Sequence, residues 1–545
     1  MKNVLSFAIA LLWISVCAKS GAAGQQAAGA TEHSCDKVQA LALTGAKIMS
    51  AQRVEAGTFQ APPGSFRPMA GAETLAKKVP AFCRLRAVAT PSADSEINIE
   101  VWLPENGWNG KFRGQGNGGF AGEIAYPLLE FSVIGGYASA GTDTGHSAGP
   151  TSAEWALGHP EKVADYGYRG IHEMTRIAKI VIQAYYGRQA EHSYFGACSN
   201  GGRQALMEAQ RFPEDYDGIL AGAPANNFSR LLTNAVANAQ SLTGEKGNYI
   251  PGSKLPAIAR AVNAACDAKD GVADGVLNDP RQCGFDPTTI LCKDADSSEC
   301  LTARQVTTLK KLYDGGRLAN GKGVFPGYLP GAEDAQGSWL VWITGLQPGK
   351  SLLFAFGKGY FANMVYEKAD WSLEGLSLDE ALKAAEEKTA RNLDAVDADL
   401  TKFNARGGKL IIYHGWNDPA ISALGSIGYY ESVLKKMGKT KTEGFSRLYL
   451  VPGMLHCGDG PGANSFGEVM DEPTDPQRNI KIALEQWVEK GRAPESLTAT
   501  KYVNDEEREG VKMTRPLCPY PQVAKYKGTG DTNDAKNFVC ALAGK

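Results

Sequence analysis

Ser199 stands in Tyr194-Phe195-Gly196-Ala197-Cys198-Ser199-Asn200-Gly201-Gly202-Arg203, between a short apolar run and a stretch with helical character. Small neighbours permit the tight strand-to-helix turn that lifts a nucleophilic hydroxyl clear of a sheet, and a helix N-terminus behind it favours a developing anion. The match to G-x-S-x-G is incomplete, because Ala197 sits two before Ser199 and Gly201 two after. Taken alone, the segment also fits an ordinary turn with Ser199 as helix cap. A serine hydroxyl needs an imidazole base, itself oriented by a carboxylate, before it can attack a carbonyl. The chain has seven histidines. His33 lies near the start, and His146, His159, His172 and His192 all precede Ser199, whereas on an elbow of this type the acid and then the base follow the nucleophile. His456 follows the apolar run 447–451, and Asp418 follows the apolar run 409–413. Ser199, Asp418 and His456 are therefore the expected nucleophile, acid and base. His414 is expected to pack or to support them.

Cys198 precedes the expected nucleophile and Cys457 follows the expected base. If the three side chains converge, these two sulfurs are neighbours. A bond between them would close more than 250 residues of chain, a restraint of about 4–5 kcal/mol in the loop-entropy model. Each cysteine could instead pair elsewhere. Gly114-Gln115-Gly116-Asn117-Gly118-Gly119 satisfies the dinucleotide fingerprint, but no convincing helix follows it. A better use is as a loop whose N–H groups, with that of Asn200, hold an oxyanion. Between Cys266 and Asp279, four carboxylates alternate with glycines and free carbonyls. That composition suits Ca²⁺, although not with EF-hand spacing, and equally suits a solvated acidic turn.

The elements needed to position these groups are legible. Ile97-Asn98-Ile99-Glu100-Val101-Trp102-Leu103 alternates like a strand, residues 161–186 carry apolar side chains at helical spacing, and 193–196, 409–415 and 447–451 are continuous apolar strands. Runs without alternation belong inside a parallel sheet covered on both faces. Residues 227–402 lack such units and hold Trp339, Trp342, Phe354, Phe356, Tyr360, Phe361, Tyr366 and Trp371. The expected organisation is an α/β core of 24–226 and 403–545 with an inserted lid at 227–402. Lys2, the apolar stretch 4–18 and the small residues after it read as a signal peptide over 1–23, hence a secreted or periplasmic protein with no membrane association once it is removed. Acylation at Cys17 is disfavoured by Ile14-Ser15-Val16 before it. Loss of Cys17 leaves ten of eleven cysteines, an even number suited to disulfides in an exported chain. A net charge of -2 over 545 residues, with 43% hydrophobic and 21% charged, excludes a strongly basic nucleic-acid binder and a disordered chain.

The C-S-x-G-G segment, the Asp418-Pro419 loop and the His456-Cys457 pair resemble the tannase/feruloyl esterase family of α/β-hydrolases, as do Gly359-Tyr360-Phe361, Tyr413-His414-Gly415 and Arg515-Pro516-Leu517-Cys518-Pro519-Tyr520-Pro521. The resemblance spans nearly the whole mature chain. It implies Ser199, Asp418 and His456 as the triad, Gly119 with Asn200 as oxyanion donors, and Cys198–Cys457 as a linking disulfide. It further implies Cys35–Cys83, Cys266–Cys283, Cys292–Cys300 and Cys518–Cys540. A structural Ca²⁺ would take the side chains of Asp267, Asp270 and Asp274 and the carbonyls of Val272 and Val276. The implied activity is serine hydrolysis of a small aromatic ester, a hydroxycinnamate or hydroxybenzoate, by a monomer or homodimer. Two alternatives are hydrolysis of a terephthalate half-ester, which in the family uses a lid arginine missing between Arg317 and Arg391, and a catalytically silent binding protein.

Overall fold

The computed structural model describes residues 34–63, 65, 75–468 and 474–542; the expected signal segment lies outside them. Nine strands form one sheet: β1 (Ala46–Val54), β2 (Phe82–Ala89), β3 (Ile97–Pro104), β4 (Lys111–Gln115), β5 (Ala138–Thr142), β6 (His192–Cys198), β7 (Gly218–Gly222), β8 (Lys409–Gly415) and β9 (Ser446–Val451). Their order is β1-β2-β3-β5-β4-β6-β7-β8-β9. β1, β2 and β3 run antiparallel, β3 meets β5 antiparallel, and the sheet is parallel from β5 to β9.

The apolar run of β8 shows why alternation is lost. Leu410 and Ile412 join a core cluster with Ile177 and Val181 of the helix Gly170–Tyr186 and with Leu206 of the helix Asn200–Arg211. Ile411 and Tyr413 face the other way, onto Leu484 and Trp487 of the helix Ile480–Lys490. Both faces of the strand are thus buried, so both need apolar side chains. This sheet, with helices on its two faces and the Ser199 turn at the C-terminal end of β6, is the architecture of an α/β-hydrolase. Among the described residues no helix is long and apolar enough to cross a membrane.

Two details depart from expectation. The helix over 161–186 is not uniform: a π turn, Asp165–Arg169, joins Pro160–Ala164 to Gly170–Tyr186. A helix, Tyr126–Ile134, does follow the glycine-rich segment, but the loop 116–125 separates it from β4. That loop folds over the Ser199 turn instead of opening a helix.

Residues 223–408 leave the sheet between β7 and β8. Helices Phe228–Thr243, Ala303–Asp314 and Leu352–Tyr360 of this excursion bury Leu232, Val236, Leu309 and Tyr360 in a second core, which also takes in Phe120 and Tyr166 from the loops around the sheet. At its far end, Leu400 and Phe403 pack into the core of the sheet. The five disulfides are Cys35–Cys83, Cys198–Cys457, Cys266–Cys283, Cys292–Cys300 and Cys518–Cys540.

Candidate active site

Ser199 takes φ 68° and ψ -125° between β6 and the helix Asn200–Arg211. A non-glycine residue with positive φ costs of order 1–3 kcal/mol and persists only where its surroundings fix it. Here the Ser199 N–H donates to the Gly222 carbonyl (2.9 Å), and the Ser199 carbonyl accepts from the N–H groups of Arg203 and Ala225 (3.1 Å each). The glycine pair is obligatory. A Cβ on Gly201 would stand 2.3 Å from the Ala197 Cβ, and one on Gly202 would stand 2.2 Å from the Gly222 oxygen. The incomplete elbow motif is thereby explained: Ala197 fits at the position two before the serine because Gly201 yields the space.

His456 lies between the other two expected residues. Its Nε2 is 2.9 Å from Ser199 Oγ and its Nδ1 is 2.8 Å from Asp418 Oδ2. The second Asp418 oxygen, Oδ1, accepts the N–H groups of Ala420 and Ile421 at 2.8 and 2.9 Å. Burial disfavours the charge on Asp418, but attraction and hydrogen bonds from His456 and His414 outweigh it and hold the carboxyl well below the usual carboxylate range. His414 is fully buried, with Nε2 2.9 Å from the Ile421 carbonyl and 3.2 Å from Asp418 Oδ2, and Nδ1 2.7 Å from Ser426 Oγ. The carbonyl can only accept, so Nε2 carries the proton and the Ser426 hydroxyl donates to Nδ1. His414 therefore supports the aspartate. Gly415 lets the two loops meet, since a Cβ there would fall 2.3 Å from the Met454 oxygen. Cys198 and Cys457, bonded to each other, flank Ser199 and His456, and Cys457 also has positive φ (65°).

The loop after β4 lies against this turn. The Asn117 N–H donates to Gln204 Oε1 (3.0 Å) and Asn200 Nδ2 donates to the Asn117 carbonyl (3.3 Å). Asn200 opens its helix, where backbone N–H groups have no intrahelical partner. Gly119 has φ +54°, and a Cβ there would lie 2.2 Å from the Pro150 oxygen. Its carbonyl accepts from the Tyr166 hydroxyl at 3.0 Å.

Of the eight aromatic residues singled out at 339–371, most are core: Trp339, Tyr360 and Phe361 are buried, and Phe361 stacks with Tyr366 and Trp371. Trp342 differs. Its ring centroid lies 5.1 Å from that of His456, and Phe356 stacks beyond it at 6.3 Å. Phe120 meets Phe356 at 5.1 Å and Phe228 at 6.3 Å. An aromatic wall thus begins at the imidazole.

Residues 83–541 match the family model described as tannase and feruloyl esterase. The chain belongs to the tannase and feruloyl esterase family. An uncharacterized esterase of Xanthomonas campestris pv. campestris is 41% identical over 532 residues, covering 93% of this chain and 91% of that protein. An Aspergillus flavus protein named "Probable feruloyl esterase B-1" is 34% identical over 84% of this chain and 86% of its own length. Among solved structures, an esterase from Aspergillus oryzae superposes with a TM-score of 0.84 at 30% identity, covering 93% of this chain and all (100%) of that one. Feruloyl esterase B from the same organism gives 0.84 at 27% identity, again over 93% and 100% of the two chains. Membership of the tannase and feruloyl esterase family makes this chain a carboxylic ester hydrolase.

The acidic loop of this family member turns at Gly271 (φ 93°) and Gly275 (φ 78°) and is closed by Cys266–Cys283. Asp267 accepts the N–H groups of Asp274 and Gly275, Asp270 those of Val272 and Asn278, and Asp274 that of Val276. Asp270, Val272, Asp274 and Val276 line a cavity of ≈ 20 Å³, and Arg515 pairs with Asp274. Burial pushes the Asp270 carboxyl up to about 6, helped by Asp274 and Asp267. Asp270 and Asp274 border this space with Val272 and Val276, whereas Asp267 does not line it and Arg515 already stands against Asp274. The donor set thus suits Ca²⁺ in chemistry but is only partly assembled around the cavity.

The sequence offered weak signals for other supporting groups. Arg203, fully buried, donates to the Gly167 and Tyr166 carbonyls (2.6 and 3.1 Å) and to Asn200 Oδ1 (2.7 Å), tying the start of the nucleophile helix to the π turn Asp165–Arg169. His146 Nε2 meets the Phe120 carbonyl at 2.8 Å, and burial lowers its pKa to about 4, so it holds the aromatic wall as a neutral ring. A charged residue at a core-facing helical position was the only available clue to Arg203. Nothing local marked Phe120 or Phe228.

Proposed function

We propose that this enzyme is an exported serine esterase that hydrolyses aromatic carboxylic esters through an acyl-enzyme. The observation that carries this is His456, placed within hydrogen-bond distance of both Ser199 and Asp418. His456 Nε2 accepts the Ser199 proton as Oγ attacks the ester carbonyl, and Asp418 steadies the imidazolium that forms. The N–H groups of Asn200 and Gly119 receive the oxyanion. The protonated His456 returns its proton to the departing alcohol, and a water activated by the same imidazole then releases the acid. Relatives named for ferulate esters and tannins support an aromatic acyl group, and so do Trp342 and Phe356, the partly exposed end of the aromatic wall beside His456, with Phe120 and Phe228 as buried backing behind them. The helical residues 227–402 act as the lid carrying part of that wall. Export is supported by the five disulfides together with the apolar start of the chain.

Turnover of methyl ferulate, methyl gallate, a terephthalate half-ester and p-nitrophenyl acetate by the same preparation tests the substrate class. The aromatic carboxylic esters of phenolic acids should have the highest kcat/KM. Trp342→Ala should raise KM for methyl ferulate by about 2- to 10-fold, the worth of one aromatic contact, with less effect on p-nitrophenyl acetate, whose acyl group has no ring. Equal effects on both esters would remove Trp342 from acyl recognition. A folded wild type inactive on every aromatic ester would defeat the reading.

Ca²⁺ held by the side chains of Asp267, Asp270 and Asp274 and the carbonyls of Val272 and Val276 would cross-link the two turns of the acidic loop, the link to the C-terminal strands being the Asp274–Arg515 pair. Its role is structural, since none of these residues reaches Ser199 or His456. At 100 times Kd such an ion stabilises the fold by about 2.7 kcal/mol. Chelation should therefore lower Tm by several degrees, reversibly on adding Ca²⁺, with kcat retained below the new transition. An unchanged melting curve in excess chelator would exclude the ion.

A further inference from the structure

Among the described residues, two groups of His, Cys or carboxylate side chains bring their ligand atoms within 4.8 Å of one another. One contains Cys292 and Cys300, which are bonded to each other and so cannot serve as thiolates. The other is His172, Glu208 and Asp215. His172 lies in the first turn of the helix Gly170–Tyr186, Glu208 in the last turn of the helix Asn200–Arg211, and Asp215 in the loop before β7. His172 stacks on Phe212 (3.8 Å, 10°) with Nδ1 2.7 Å from Asp215 Oδ2. Glu208 is fully buried (0% exposed), and neither of its oxygens receives a hydrogen bond from a donor group.

A buried carboxylate without donors is costly, and the surroundings do little for it. The Lys179 amino group on the facing helix is spent on the Glu214 carbonyl at 3.2 Å, and the Tyr216 hydroxyl is bonded to Thr175 Oγ1.

We infer that His172 Nδ1, Glu208 and Asp215 form a binding site for a first-row divalent transition-metal ion. One imidazole and two carboxylates are a borderline N/O donor set that suits Zn²⁺, Mn²⁺ or Co²⁺ and is unlike the oxygen-only acidic loop. Two carboxylates neutralise the ion's charge, and the C-terminal end of the Asn200–Arg211 helix adds a favourable dipole. Entry is from the side of His172, whose side chain is 27% exposed against 8% for Asp215. Metal binding takes the imidazole as its Nε2–H tautomer, the hydrogen on Nδ1 moving to Nε2 by way of solvent, and any carboxyl proton on Glu208 leaves to solvent. Glu208 is eight residues along the helix from Asn200, about 12 Å at 1.5 Å per residue. The ion therefore clamps the far end of the nucleophile helix to the helix beside it and takes no part in the ester chemistry.

The test uses the whole protein, stripped with chelator and returned to buffer containing Ca²⁺, which fills the acidic loop. Co²⁺ titration should produce visible d–d absorption that saturates near one equivalent and is quenched by Zn²⁺, and Zn²⁺ should raise Tm. In His172→Ala, with an unaltered far-UV circular dichroism spectrum, Co²⁺ affinity should fall at least about 10-fold, whereas His159→Ala should bind as the wild type does. Glu208→Gln gives a second ligand deletion that keeps the side-chain volume. Absence of d–d bands in the wild type, or equal bands in His172→Ala, would overturn the site and leave Glu208 and Asp215 as a proton-sharing pair.

Discussion

Ser199→Ala is expected to lower kcat for ester hydrolysis by on the order of 10⁴-fold or more while leaving Tm within a degree of the wild type. The substitution removes only an oxygen. The backbone bonds that hold the turn, from Ser199 N–H to Gly222 and from Arg203 and Ala225 to the Ser199 carbonyl, are indifferent to the side chain. Alanine meets the same φ of 68° at similar strain. What disappears is the one group His456 Nε2 faces at 2.9 Å. His456→Ala should cost a comparable factor, because a hydroxyl without its base does not ionise near neutral pH. The double variant should be no worse than either single one, since residues acting as a unit lose the whole effect once. Steady-state kcat on methyl ferulate, beside a melting curve, measures all three. A loss below about 10-fold in either single variant would take that residue out of the mechanism, and additive losses would mean that the two act separately.

The side chains that carry this prediction were legible because their signals are local. A strand, a serine among small residues and a helix lie within a dozen positions, and chain order alone separated His456 from the histidines before Ser199. The parallel strands were equally plain, since burial on both faces of β8 demands the unbroken run Leu410-Ile411-Ile412-Tyr413. What escaped depends on distance in sequence. Phe120, from the segment after β4, and Phe228, from the helix after β7, meet only in the folded chain, and no spacing rule links them to Trp342. Phe120 and Tyr166 share the second core with the helices of 223–408, a contact between distant segments that no local pattern announces. Arg203 is a charged residue at a core-facing helical position, and the carbonyls of Tyr166 and Gly167 that satisfy it are acceptors only the folded chain assembles.

Replacing Cys198 and Cys457 together by alanine should lower both stability and kcat, and the comparison with Cys35 and Cys83 separates the two effects. The first bridge spans 259 residues and the second 48. In the loop-entropy model both are worth several kcal/mol, about 5.5 and about 4 respectively, so the denaturant midpoints of both double variants should fall, the first somewhat further than the second. Their kcat values should differ far more. Cys35–Cys83 ties the first helical turn to β2, remote from the site, and its loss should leave kcat unchanged in the folded enzyme. Cys198–Cys457 joins the residue before Ser199 to the residue after His456. The Ser199 turn keeps its own backbone hydrogen bonds, whereas Cys457 (φ 65°) holds a left-handed conformation that relaxes once the bridge is cut and lets the His456 loop shift. A shift of that loop by about 1 Å lengthens the 2.9 Å contact between imidazole and hydroxyl and should cost about 10²-fold in kcat. Equal kcat in the two double variants would make the bridge at the active site a staple like any other. An active-site variant that loses kcat well below its unfolding transition would instead identify the disulfide as the element that keeps nucleophile and base in register across 259 residues of chain.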